Sequence, residues 1–282
     1  MSEALDLIAR EGWVFWPSAL ALFLAIGSFL NVVIHRVPGQ IEWSWQMPNA
    51  RGAKPPGVIW PGSHCPKCQH SLAWHDNIPL LSYLLLKGHC RYCKTSISAR
   101  YPLVEALCAI VSLIVVAKLG VQWPTLFALL ATWFLVALAF IDLEHFLLPD
   151  KLTFPLIAIG IGVNAFELFA SLSSAVIGAA AGYLSLWLVF HGFRLATGKE
   201  GLGYGDFKLL AAIGAWVGWQ LLPVAVLLSA GAGTIIGIMM LATGHQKRNQ
   251  PIPFGPYLAG GGWLTLLWGH EIQKWYYSLT GM

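Results

Sequence analysis

The sequence predicts an all-α polytopic membrane protein, with about eight transmembrane helices and a small zinc-binding cytoplasmic domain between the first and second. Three observations lead there. The 282 residues are 57% hydrophobic with a mean hydropathy of +0.64, and only 11% are charged, against about 25% in a typical soluble protein. Eight apolar runs are punctuated by charge, Pro and Gly, and a helix needs roughly 20 apolar residues to span a bilayer. One polar stretch alone is long enough to fold in water, and it carries two Cys-x-x-Cys pairs. So little charge cannot cover a water-facing surface, which excludes a soluble fold and makes the lipid bilayer the natural surround. The net charge of +4 is small and distributed by topology, so it predicts no nucleic-acid partner.

The expected spans run from Trp13 to Ile34, Tyr101 to Val121, Pro124 to Ile141, Leu152 to Ala170, Ser174 to Phe193, Phe207 to Trp219, Leu221 to Ala242 and Phe254 to Trp275. The first is preceded by Glu3, Asp6 and Glu11 against the single Arg10, the wrong sign for a cleavable signal peptide. Three segments follow from this division: residues 1–34 as N-terminal segment and first span, 35–100 as the cytoplasmic domain, and 101–282 as a seven-helix membrane core. Fourteen of the 17 Lys and Arg fall on one side of such a topology, eight of them between His35 and Arg100. The positive-inside rule therefore puts that loop in the cytoplasm and both termini outside.

Within the loop, Cys65-Pro-Lys-Cys68 and Cys90-Arg-Tyr-Cys93 form two knuckles, close to zinc-ribbon spacing. Four thiolates close a tetrahedral shell and leave no position for water, so Cys65, Cys68, Cys90 and Cys93 predict a structural zinc in a loop too small to build its own core. His64, His70 and His89 stand beside the knuckles as substitute ligands. Cys108, inside the second span, reads as a small buried apolar residue.

Acids in or beside a span are costly unless paired or wetted, so each asks for an account. Glu105 and Glu167 read as snorkelling or hydrogen-bonded between helices. Asp150, after Pro149, reads as the N-cap of the fourth span. Asp142 ends the apolar run from Phe134 to Ile141, and Asp206 closes the glycine-rich Gly201-Leu-Gly-Tyr-Gly-Asp206 at the start of the sixth span. The third span runs inward and the sixth outward, so both aspartates reach the cytoplasmic face. Two carboxylates in one low-dielectric pocket share a proton, one serving as base and the other as acid, which suits peptide hydrolysis with catalytic residues Asp142 and Asp206. Neither a Gly-x-Ser-x-Gly elbow nor a His-Glu-x-x-His motif is present. The pairs Gly178/Gly182 and Gly233/Gly237 read as close helix packing.

Taken together, these stretches resemble the type IV prepilin peptidase family, bifunctional leader peptidases and N-methyltransferases of bacterial inner membranes. The matching segments are Gly27 to Arg36, the two knuckles with Asn77 to Ser82 between them, Ile97 to Glu105, Asp142 to Asp150, Gly203 to Lys208 and Pro253 to Tyr257. The resemblance implies that Asp142 and Asp206 are the catalytic pair and that the four cysteines bind zinc. It also implies that prepilins and type II secretion pseudopilins are cut after a Gly at the cytoplasmic membrane face. S-adenosyl-L-methionine would then methylate the new N-terminus; no Gly-x-Gly-x-x-Gly loop locates its site.

Rival expectations are a peptidase without methyl transfer, a transporter or channel using the acids as an ion path, a general signal-peptide remnant cleaver, and a zinc-stabilised scaffold. The four-cysteine loop has no place in the transporter reading, and no inverted repeat supports it.

Overall fold

The computed structural model describes residues 12–47, 55–199, 201–244 and 252–280. Glu3, Asp6, Arg10 and Glu11 of the lead-in, and Arg51, Lys54, Lys247 and Arg248 of the basic count, lie outside them. Nine α-helices are present among the described residues: α1 Gly12–Trp45, α2 Leu81–Leu85, α3 Arg100–Leu119, α4 Trp123–His145, α5 Asp150–Asn164, α6 Leu172–Thr197, α7 Tyr204–Val217, α8 Leu222–Ala242 and α9 Gly255–Thr280. No strand accompanies them there, only two isolated β-bridges in the cysteine loop. Each of the eight apolar runs holds one of the longer helices. Five segments are long and apolar enough to cross a membrane: α1, α3, α4, α6 and Trp219–Ala242, which contains α8. The chain is thus an all-α, membrane-spanning protein. Large apolar side chains such as Leu22, Phe29, Leu188, Leu227, Ile235 and Met239 point outward, as a lipid-facing surface requires.

The chain divides into two compact units, residues 1–137 and 138–282. In the first, α1 packs along α3, and the cysteine loop lies between them in sequence. Helix α1 runs eleven residues past its expected end at Ile34, through Pro38. Arg36, two residues past that end, is buried: its guanidinium donates to the carbonyls of Gly57 and Pro61, both at 2.7 Å, and of Gly62 at 3.1 Å. A charge satisfied in this way does not end a helix. Glu105 of α3 is buried as well, and its Oε2 accepts the Leu80 N–H at 2.9 Å. It thereby serves the start of α2, and the Ser28 hydroxyl of α1 gives the hydrogen bond between helices that was expected of it.

The second unit is built around α7, which is only 14 residues long and buried continuously from Leu209 to Val217. Its surround is protein, which explains its shortness: it need not match the bilayer's thickness. Helix α6 lies against it at backbone contact. A Cβ on Gly214 would stand 2.1 Å from the Gly178 carbonyl oxygen, and one on Gly182 would stand 2.5 Å from that of Leu210. The close-packing reading of Gly178 and Gly182 is borne out. Gly233 and Gly237 instead face side chains, those of Tyr257, Phe254 and Ile252, with a Cβ at Gly233 3.3 Å from the Tyr257 ring.

Helix α5 ends at Asn164, six residues before the expected boundary. The buried Asn164 amide donates to Ala215 O at 2.9 Å and Trp216 O at 3.0 Å on α7, while its oxygen accepts the Phe169 and Ala170 N–H groups. These four bonds turn the chain and tie it to α7, leaving Glu167 in an exposed loop at φ 53°. Glu167 therefore stands three residues beyond the helix end, not within the helix.

Candidate active site and metal centre

Asp142 stands in the last turn of α4, where the apolar run that precedes it carries it into protein, and it is buried at 6% exposure. Its Oδ2 accepts the Gly255 N–H at 2.9 Å. Gly255 is the first residue of α9, so the partially positive helix end faces the carboxylate. Only glycine fits there, because a Cβ would lie 2.6 Å from that same oxygen. The sequence singled out Pro253 to Tyr257 by resemblance without giving Gly255 a role. A glycine has no side chain to announce a contact 113 positions away.

Asp206 lies in the first turn of α7 and is equally buried. Its Oδ2 reaches back to accept the N–H of the helix N-cap, Gly203, at 3.1 Å. The same glycine-rich turn brings Gly205 against Leu148, with a Cβ there only 2.7 Å from the leucine Cβ. The loop after Asp142 thus packs directly on the turn that presents Asp206, and the two carboxylates lie within electrostatic reach of one another. Fold and sequence agree in bringing them together.

Asp150 departs from its expected role. Pro149 occupies the N-cap position of α5 and no side-chain cap forms. The Asp150 carboxylate instead pairs with Lys208, two residues beyond Asp206, tying the ends of the two aspartate-bearing segments to each other. The pair is too exposed to stabilise the fold appreciably.

In the cysteine loop the two knuckles repeat one backbone pattern. Cys65 N–H bonds to His70 O and Cys90 N–H to Thr95 O, while Gln69 and Lys94 return to the first cysteine's carbonyl. Both of those residues take positive φ, 58° and 57°. The four sulfurs lie within 4.8 Å of one another, and Cys65 Sγ is 3.8 Å from Cys93 Sγ. Zn–S bonds of about 2.3 Å in a tetrahedron require sulfurs about 3.8 Å apart, so these residues fit a zinc ion. Hydrogen bonds from the Thr95 hydroxyl and N–H bring Cys93 down to about 6. At Cys68 the His70 N–H works in the same direction. Desolvation and the neighbouring Cys65 and Cys93 sulfurs outweigh it and push the thiol up to about 11. A dication would relieve that crowding of negative charge. The histidines stand aside: His64 and His89 bond to the backbone carbonyls of Gly62 and Lys87, and His70 stacks on Tyr92.

Comparison with known proteins matches the chain in two parts. Residues 22–119 match the bacterial peptidase A24 N-terminal domain, and residues 129–238 match the type IV leader peptidase family. The chain is 50% identical over 285 residues to a prepilin leader peptidase/N-methyltransferase of Aeromonas hydrophila, covering 98% of each chain. It is 48% identical to one of Pseudomonas aeruginosa, again over 98% of each. A further relative of the same name, from Burkholderia pseudomallei, is 44% identical over 89% of this chain and 84% of its own. No solved structure matches. Two family models matched in order, and half of all residues shared along nearly the whole length, place this enzyme in the type IV leader peptidase family.

Proposed function

We propose that the protein removes the leader peptide of prepilins and pseudopilins, cutting after a Gly at the cytoplasmic membrane face, and that it then methylates the new N-terminal amine. The observation that carries this reading is the pairing of Asp142 and Asp206. They come from helices far apart in sequence, each is buried, and each has one oxygen held by a glycine N–H. Two carboxylates so placed hold one proton between them. The ionised one takes a proton from water as the water oxygen bonds to the scissile carbonyl carbon. The protonated one gives its proton to the carbonyl oxygen. Collapse of the tetrahedral intermediate breaks the C–N bond, and the departing nitrogen takes back a proton, leaving a carboxylic acid and a free amine.

The glycine N–H groups orient the carboxylates, and the walls of α7 and α9 keep bulk water from competing. Cys65, Cys68, Cys90 and Cys93 would hold zinc as a structural ion, with no open position for substrate. Methyl transfer rests on the relatives' names, and S-adenosylmethionine is the donor the family resemblance implies. Incubating the full chain in bilayers with a prepilin and labelled S-adenosylmethionine, then weighing the product, tests both steps. A pilin shortened after Gly and heavier by one methyl group is expected; an unshortened pilin would overturn the proposal.

A further inference from the structure

The first unit contains a cavity of about 470 Å³, a volume in the range of small-molecule sites, roughly 300–1,000 Å³. Its lining includes Asn31 of α1, Tyr101 of α3, and Asp76, Tyr83, Leu86 and Ile97 of the loop between them. Two of these side chains are buried with an oxygen that has no hydrogen-bond partner, Asp76 Oδ2 and Asn31 Oδ1. The Asp76 side chain is 2% exposed and Asn31 3% exposed, so bulk water does not serve them.

Their other polar atoms are tied down. Arg91 Nε donates to Asp76 Oδ1 at 2.8 Å, and Asn31 Nδ2 donates to Tyr101 O at 3.0 Å. The orphaned oxygens are thus held in place by bonds on their far sides. Leaving such an acceptor unmatched costs about 1–3 kcal/mol, and more for a charged group. Two in one cavity describe a site that is complete only with a guest rich in hydrogen-bond donors. Arg36, on the same wall, directs its guanidinium to the loop carbonyls of Gly57, Pro61 and Gly62. It therefore shapes the cavity while leaving the carboxylate oxygen unmatched.

We propose that this cavity is the S-adenosylmethionine site, with Asp76 Oδ2 and Asn31 Oδ1 accepting hydrogen bonds from the ligand's hydroxyl and amino groups. The proposal rests on the methyl-transfer reading above. S-adenosylmethionine supplies an electrophilic methyl group on a cationic sulfur, and it carries a ribose diol, an ammonium and an adenine amino group. A fixed carboxylate oxygen with no partner suits a ligand rich in hydrogen-bond donors. Tyr83, Tyr101, Leu86 and Ile97 supply the apolar part of the lining.

Two measurements on the full chain in detergent or bilayers test the assignment, using S-adenosylhomocysteine as a non-reactive probe. By calorimetry, Asp76→Asn should weaken binding at least about tenfold, while zinc content stays at the wild-type level and shows the loop intact. Light-induced cross-linking of labelled S-adenosylmethionine to the wild-type chain, mapped by mass spectrometry, should place the label on peptides from residues 28–36 or 72–105. Unchanged affinity in Asp76→Asn, or label confined to other peptides, would overturn the site. Methylation of cleaved pilin by the same wild-type preparation separates the two failures. If methylation proceeds while the site tests fail, the donor binds elsewhere; if neither methylation nor probe binding occurs, the methyl-transfer reading falls with the site.

Discussion

At the scale of single residues, the proposed active site depends on what glycines permit as much as on what aspartates do. Asp142 is held by the N–H of Gly255, whose missing side chain leaves room for the carboxylate. Gly255→Ala would drive a methyl group into Asp142 Oδ2 and displace it by a fraction of an ångström to an ångström. A misplacement of that size costs about 100-fold in rate, so kcat for leader removal should fall by about that factor. Gly260→Ala, in the same helix with open space around it, should retain wild-type turnover. Equal rates in the two variants would show that the Gly255 contact does not position the carboxylate. Asp142 and Asp206 were legible in the sequence because a chain with only 13 acids offers few reasons to put two at the ends of apolar runs. Gly255 was not, since its contribution is a backbone N–H and an absence of atoms.

At the scale of elements, the α6–α7 contact fixes the helix that carries Asp206. Gly178 and Gly214 face each other with carbonyl oxygens where side chains would otherwise lie. Gly214→Ala therefore forces two backbones apart, and overpacking of this kind costs about 1–3 kcal/mol. Its thermal unfolding midpoint should drop measurably below wild type. Gly192→Ala on α6, where nothing stands within 4 Å, should match or exceed wild type because alanine favours the helix. The apolar runs made the helices themselves legible, and the Gly178/Gly182 spacing made one contact legible. Two boundaries were not. Arg36 is a charge just past the first apolar run, but it is matched by carbonyls 21 to 26 residues away. Asn164 looked like one more residue of an apolar run, although its four hydrogen bonds end α5. In both cases the deciding partner is distant in sequence, and periodicity carries no trace of it.

At the scale of the whole molecule, the protein has two compact units that meet the cost of buried polarity differently. In the second unit, buried carboxylates are held by helix-start N–H groups. In the first, a loop too small for a core is organised by four sulfurs and buried side chains such as Arg36 and Glu105. On the reading that the four cysteines hold a structural zinc, removing the metal with a chelator should open new protease cleavage sites between Gly62 and Ser98, while the second unit resists as before. An unchanged digestion pattern after verified zinc loss would show that the loop holds itself together without the ion. The central claim concerns the second unit, and one measurement reaches it most directly: the rate of leader removal, followed by product mass, for Asp142→Asn and for Asp206→Asn. A shared-proton pair predicts that each single variant loses about 100- to 10,000-fold, with the protein still folded and zinc-bound. Leader removal at the wild-type rate by either variant would contradict it.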